Sequence, residues 1–326
     1  ATSATATAAC TAGPAFVASR TAGLASRPTA TTATASRISI SIATFGIHAA
    51  TRTTTGAARV AGLLRERPAR LKFRIHVSNA VSPAAIAPRE DAVRATASEL
   101  MDAIKAKGAC DFVEDFAVKF PVRVFMELFG MPPSDFEKIL QYEYSLLHVA
   151  NSIETRSKAA REIYSYLVDM IAEKRANPSN DLATAVLDFT VGDRPMEDKE
   201  ILGMYYLLFV GGLDTVASSL GFAWRYLANN PKEQQKLRDN PELIPGAVEE
   251  FLRLHSVVEV RRSVTKDVEF HGVNFKKGDF VNCLTSVISL DKDAFPNPLQ
   301  ADFERSPNRH GAFVFGPHRC VGSNLA

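Results

Sequence analysis

Apolar residues recur along this chain at two spacings. In AIAPREDAVRATASELMDAIKAKG, residues 85–108, the residues Val93, Ala97, Leu100 and Ile104 fall on one helical face. Pro132-Pro133 followed by Ser134 and Asp135 predicts a turn and a helix start. Ala159 to Lys174 predicts an amphipathic helix that ends before Asn177-Pro178. Asp198 to Asn229 predicts a long helix, apolar almost all round from Tyr205 to Val210, the pattern of a helix that runs through the middle of a large helical protein. Pro231 to Asp239 and Pro241 to Leu254 predict two more.

Strand spacing is confined to one region. VEFHGVNFKKGDFVNCL, residues 268–284, alternates apolar and polar positions, with turns at His271-Gly272 and Lys277-Gly278-Asp279. The predicted class is therefore mainly α with a small β portion late in the chain. No internal repeat and no GxGxxG loop is present.

Composition changes this picture at one end. The chain has 326 residues, 46% of them hydrophobic, enough for a large core in one big domain or two ordinary ones. Residues 1–65 are mostly Ala, Thr, Ser, Gly and Arg, and contain no Asp, Glu or Lys. This low-complexity stretch has the make-up of a transit peptide or of a disordered tail. We take its residue identities as uncertain, assign it to the same domain as residues 66–326 and draw no function from it. The net charge of +2 conceals the arginines of that stretch, and no basic stripe suggests nucleic acid as a partner. Cys10, Cys110, Cys283 and Cys320 show no CxxC spacing, so neither a zinc site nor a disulfide framework is expected, and the chain reads as intracellular. The longest apolar run, Met204 to Leu213, is too short to span a bilayer.

Four groups of residues carry candidate chemistry. In the long helix, Gly211-Gly212-Leu213-Asp214-Thr215 places adjacent glycines where each costs about 1 kcal/mol relative to alanine. They fit a close helix crossing. They fit equally a helix opened locally, with Thr215 bonding a carbonyl one turn back and Asp214 as an acid beside the distortion. Glu250 and Arg253 share a helix face, as a surface ion pair or, with Arg305, as a buried cluster. In FVFGPHRCVG, residues 313–322, Cys320 stands between Gly316 and Gly322, where turn amides and a following helix start could stabilise a thiolate. Arg74, Arg262 and His318 are scattered cations that together could clamp carboxylates.

These residues together resemble the cytochrome P-450 family, most closely its bacterial, ferredoxin-dependent, camphor 5-monooxygenase-like members. Phe313, Gly316, Cys320 and Gly322 match the haem-binding signature, Glu250 and Arg253 the Glu-x-x-Arg motif, and Gly212, Asp214 and Thr215 the oxygen-activation motif. The resemblance runs from about Arg70 to Ala326. It implies the P-450 fold, with the long helix over haem b. Cys320 would be the proximal thiolate ligand to the metal, and Arg74, Arg262 and His318 would bind its propionates. Gly211 and Gly212 would give dioxygen room, while Thr215 and Asp214 would deliver protons. Leu207, Val210, Val258 and Val260 match positions that line the substrate pocket. All are apolar, which favours a small terpenoid-like substrate.

The implied activity is monooxygenation in the cytoplasm by a monomer with no membrane span. A [2Fe–2S] ferredoxin would supply electrons, steered by Lys72, Arg74 and Arg319. A peroxide-driven oxygenase and a non-catalytic haem-binding protein are the alternatives. The chain departs from the family pattern at Val314, where a glycine is usual, and at Ala326, where the family continues with a helix and a hairpin lining the pocket.

Overall fold

The computed structural model describes residues 67–148, 151–270 and 272–326. The segment 1–65 and His271 lie outside the described residues, as do the side chains of residues 67–72, which include Lys72 of the expected basic patch. The described elements are α1 (Arg67–Ala80), α2 (Pro83–Ile86), α3 (Glu90–Lys107), α4 (Lys119–Phe129), α5 (Phe136–Leu147), α6 (Ile153–Ala176), α7 (Leu182–Leu187), a two-stranded β1 (Thr190–Val191) and β2 (Arg194–Pro195), α8 (Asp198–Asn229), α9 (Pro231–Asp239), α10 (Ile244–Leu254), β3 (Glu259–Ser263), β4 (Val268–Phe270), β5 (Val273–Phe275), β6 (Phe280–Leu284) and α11 (Thr285–Ile288). The fold is mainly helical with small sheets, as the periodicity predicts.

The long helix has the predicted bounds. Glu197 and Glu200 form a reciprocal capping box at its start, and Asn230 before Pro231 ends it. Its buried positions Ile201, Met204, Tyr205, Phe209 and Leu213 form a stripe at helical spacing. Fully burying each of these large side chains contributes about 1.5–3 kcal/mol. The stripe packs against α4, α5, α6 and α7, with α10 on a further side. Tyr205 meets the Phe129 ring edge-on at 5.0 Å and donates its hydroxyl to the Ala183 carbonyl at 2.7 Å. α8 is also long and apolar enough to cross a membrane by length and composition alone. Here it sits at the centre of the helical core.

Elsewhere the structure corrects the pattern. α3 ends as expected, on Gly108 at φ +75. α6 begins earlier than Ala159, because Ser152 caps it by accepting from the Thr155 amide. The π turn Val113–Ala117 and α4 were not legible as separate elements. The alternating stretch 268–284 divides into two. β4 and β5 pair with each other around Gly272 at φ +77. β6 instead reaches back to β3, with Val260 opposite Cys283. β3 escapes a period-two reading because Glu259, Arg261 and Arg262 break the alternation. Cys110 is disulfide-bonded, against the expectation that the cysteines form no bridge; Cys283 and Cys320 are free.

Candidate functional site

The Glu250–Arg253 pair is no surface bridge. Both side chains are fully buried. Arg253 donates Nε to Glu250 Oε2 at 2.8 Å and Nη2 to Oε1 at 2.8 Å. Its remaining donors reach the carbonyls of Ser289 at 2.9 Å and Pro298 at 2.7 Å. Arg305 completes the cluster, donating Nε to both Glu250 oxygens at 3.1 and 3.2 Å. Asn308 and the Asp302 amide also donate to Glu250. Burial alone would raise this carboxyl, but these donors outweigh it and hold it below the usual carboxylate range. The cluster thereby ties α10 to the irregular segment 289–308. Gly246 has no room for a side chain against the Phe303 carbonyl, so α10 and that segment lie in backbone contact.

That segment leads into the cysteine loop. The Gly311 amide donates to Ser289 Oγ, and His310 bonds Glu249 at 2.7 Å. Phe313 is half-buried, and its carbonyl accepts from the Cys320 amide at 2.9 Å, closing the loop. Gly316 takes φ +74, which only glycine adopts freely. Val314 takes φ +60, a strained conformation for a β-branched residue. Cys320 is a free, exposed thiol. Gly322 lies close to it: a Cβ there would sit 3.8 Å from Sγ. The residues after Cys320 form a short 3₁₀ turn, Val321–Asn324, rather than the α-helix start that was expected. This turn packs against α1, and Val321 joins the same core as Phe209 and Leu213 of α8.

On α8 the two glycines do different things. A Cβ on Gly212 would meet Phe125 Cδ2 at 2.5 Å, so Gly212 serves the close crossing with α4. Gly211 faces open space, with nothing within 4 Å of a Cβ. The helix is α-helical throughout, so the expected local opening is absent. The bond one turn back is made not by Thr215 but to it: Ser219 Oγ donates to the Thr215 carbonyl at 2.9 Å. The Thr215 hydroxyl makes no hydrogen bond among the described residues. Asp214 is half-buried, and burial raises its carboxyl against an opposing hydrogen bond from Ser218.

The remaining expected residues lie on separate elements. Arg74 is half-buried on α1, Arg262 is exposed on β3, and His318 is exposed in the turn Gly316–His318. Leu207 on α8 is 53% exposed; Val210, Val258 and Val260 are half-buried. The Val258 carbonyl accepts from Thr285 Oγ1. A shallow cleft lined by Ile86, Val93, Val124 and Leu325 shares none of these residues. One residue that the sequence reading passed over belongs with this group. Glu143 on α5 is half-buried and pushed up to about 7, by burial first and then by the charges of Asp214 and Glu114. Its signal in the sequence was a glutamate placed between Leu140 and Leu147 on the apolar face of α5.

Comparison with known proteins places this arrangement. Residues 121–246 and 239–326 match the model of the family described as cytochrome P450. A probable cytochrome P450 127A1 from Sinorhizobium fredii is 37% identical over 260 residues, 79% of this chain and 62% of that protein. The chain thus spans less than two thirds of that relative's length. The solved structure of CYP101J2 is 31% identical, with a TM-score of 0.75, covering 84% of this chain and 68% of that one. P450BioI, solved with a fatty-acid-ligated acyl carrier protein, is 26% identical, with a TM-score of 0.77 over 83% of this chain and 73% of that one.

Proposed function

The chain belongs to the cytochrome P450 family, and on that premise we propose that it is a haem-thiolate monooxygenase. Its cofactor is haem b. It would hydroxylate a small hydrophobic, terpenoid-like substrate in the cytoplasm, with electrons from a [2Fe–2S] ferredoxin. One atom of dioxygen enters the substrate and the other leaves as water, consuming two electrons and two protons.

The observation that carries this reading is Cys320, a free and exposed thiol on a loop anchored by the Glu250 cluster. The residues present fit haem. The sulfur is in no disulfide, a Cβ at Gly322 would meet only Sγ within 4 Å, and Gly211 leaves open space along α8. Cys320 would ligate the iron, with Phe313, Gly316 and Gly322 shaping the approach. Arg74, Arg262 and His318 would hold the propionates. Bound haem supplies the redox-active iron at which dioxygen is activated. Everything else falls to the chain. Leu207, Val210, Val258 and Val260 hold an apolar substrate and exclude water. The unbonded Thr215 hydroxyl is available to donate a proton on that face, and Asp214, one residue away, replenishes it.

The test uses holoprotein with a ferredoxin, its reductase and NADH, and a panel of terpenoids in isotopically labelled dioxygen. The reading predicts a spin-state shift on substrate binding and label in a hydroxylated product. Product formed only from added peroxide would make this a peroxide-driven oxygenase. No product from either oxidant, with haem bound, would make it a carrier. Turnover only of carrier-protein-linked substrates would overturn the free terpenoid.

A further inference from the structure

Two half-buried carboxylates, Glu143 and Asp214, lie on packed helices, and the charge of Asp214 acts on Glu143. On α5, Glu143 lies one turn from Leu140 and from Leu147, so the three share a face. On α8, Asp214 lies one turn from Val210 and one turn from Ser218. α5 and α8 pack together, and Leu140, Leu147 and Val210 all pack on the same core cluster. The two acids thus share helix faces with residues of one core, on two helices that pack together. Neither has an ion-pair partner among the described residues.

Three cations of the surrounding elements have partners elsewhere. Arg123 of α4 bonds Glu99, and Lys158 of α6 pairs with Glu162. Lys138 of α5 lies over the Tyr166 ring, and Asp135 accepts from the Tyr166 hydroxyl. Glu114 of the π turn is the second charge that acts on Glu143, and it too is a carboxylate. Three acids on three packed elements cannot all hold their charge in a partly dry setting. Glu143 is the one pushed furthest toward neutrality. Asp214 is raised less, because Ser218 donates to its charged form.

We propose that Glu143 is a positioning residue for proton delivery: it shares a proton with Asp214 and restores that proton when Asp214 has given it up to Thr215. The Glu143 carboxyl proton moves to the Asp214 carboxylate, and Glu143, now ionised, takes a proton from solvent. This places a second acid, on a second helix, behind the Asp214-Thr215 pair. It rests on the monooxygenase reading for what Asp214 does.

The experiment follows the carboxyl titration of holoprotein by infrared difference spectroscopy and by melting temperature between about pH 5 and 9, for wild type, Glu143→Gln and Asp214→Asn. Glu143→Gln resembles the protonated side chain and preserves its shape. Glu143 is raised in the fold, so the stability it contributes is present below its unfolded value and is lost as pH rises through about 7. Wild type should therefore show one protonated carboxyl that titrates near neutrality and a melting temperature that falls across that range. Glu143→Gln should remove both signals. Asp214→Asn should move the titration down by about one unit, because a repelling charge has gone. Turnover of Glu143→Gln should fall about tenfold, with a larger solvent isotope effect. A neutral-range titration that survives Glu143→Gln, or that ignores Asp214→Asn, overturns the proposal. So does an unchanged isotope effect. The CO spectrum of the same wild-type sample tests the monooxygenase reading separately, since the carboxyl titration does not depend on the cysteine ligand.

Discussion

Glu250 and Glu143 are both glutamates on helices packed against α8, and the fold moves their acidities in opposite directions. Glu250 is fully buried, yet it is held ionised by two arginines, an asparagine and a backbone amide. Glu143 is less buried, yet it is pushed toward neutrality, by burial first and then by the charges of two further carboxylates, with no cation among the described residues to offset them. Burial raises both carboxyls, and the donors around Glu250 reverse the direction there. The region around Glu250 has its charge matched donor for acceptor, which suits a fixed anchor for the cysteine loop. The face shared by α5 and α8 leaves acids unmatched, which suits a place where protons move.

The largest expected effect comes from making the first region resemble the second. Arg253→Met leaves Glu250 buried with fewer donors, and should destabilise the protein by about 3–5 kcal/mol. The sign of its pH dependence should also change. In wild type the stability contributed by Glu250 is present above the unfolded carboxyl value and is lost as pH falls. In the variant the carboxyl is raised, so stability is lost as pH rises. Denaturant unfolding at acid and neutral pH reads both. A loss below about 1 kcal/mol would place this pair with ordinary surface bridges.

Next comes the contrast between the glycines of α8. Gly212→Ala forces a Cβ into Phe125 and should cost about 1–3 kcal/mol. Gly211→Ala meets open space and should stabilise the helix by about 0.5–1 kcal/mol. Equal melting temperatures for the two variants would contradict the assignment of Gly212 to packing and Gly211 to the open face.

The smallest effect concerns the loop between the two regions. Val314 stands at φ +60, where a β-branched residue carries strain of about 1–2 kcal/mol. Val314→Gly releases it but adds freedom to the unfolded chain. The net expectation is a gain of about 1 kcal/mol in thermal melts. Destabilisation would show that the valine side chain contributes more by packing than its backbone loses.

What the sequence made legible follows from how local each feature is. α8 was readable to its last residue, because Asn230-Pro231 and a sustained apolar run are local signals. The Glu250–Arg253 pair was readable as neighbours on a helix. Its character was not, since five of its partners, Ser289, Pro298, Asp302, Arg305 and Asn308, come from a segment more than thirty residues on. The glycine pair illustrates the same limit. Its two explanations, crossing and opening, could not be separated without Phe125, and each glycine proves to fit one half. β3 was missed because its register is set by β6 and not by its own alternation. Glu143 was missed because it becomes unusual only beside Asp214, which lies on another helix.

The central claim is that Cys320 holds haem iron as a thiolate, and the absorption spectrum of the reduced, CO-bound protein tests it most directly. Wild type should show the red-shifted Soret band of thiolate ligation. Cys320→His should retain haem and move that band to the imidazole position. An imidazole-type band already present in wild type, or a thiolate band that survives Cys320→His, would contradict the account.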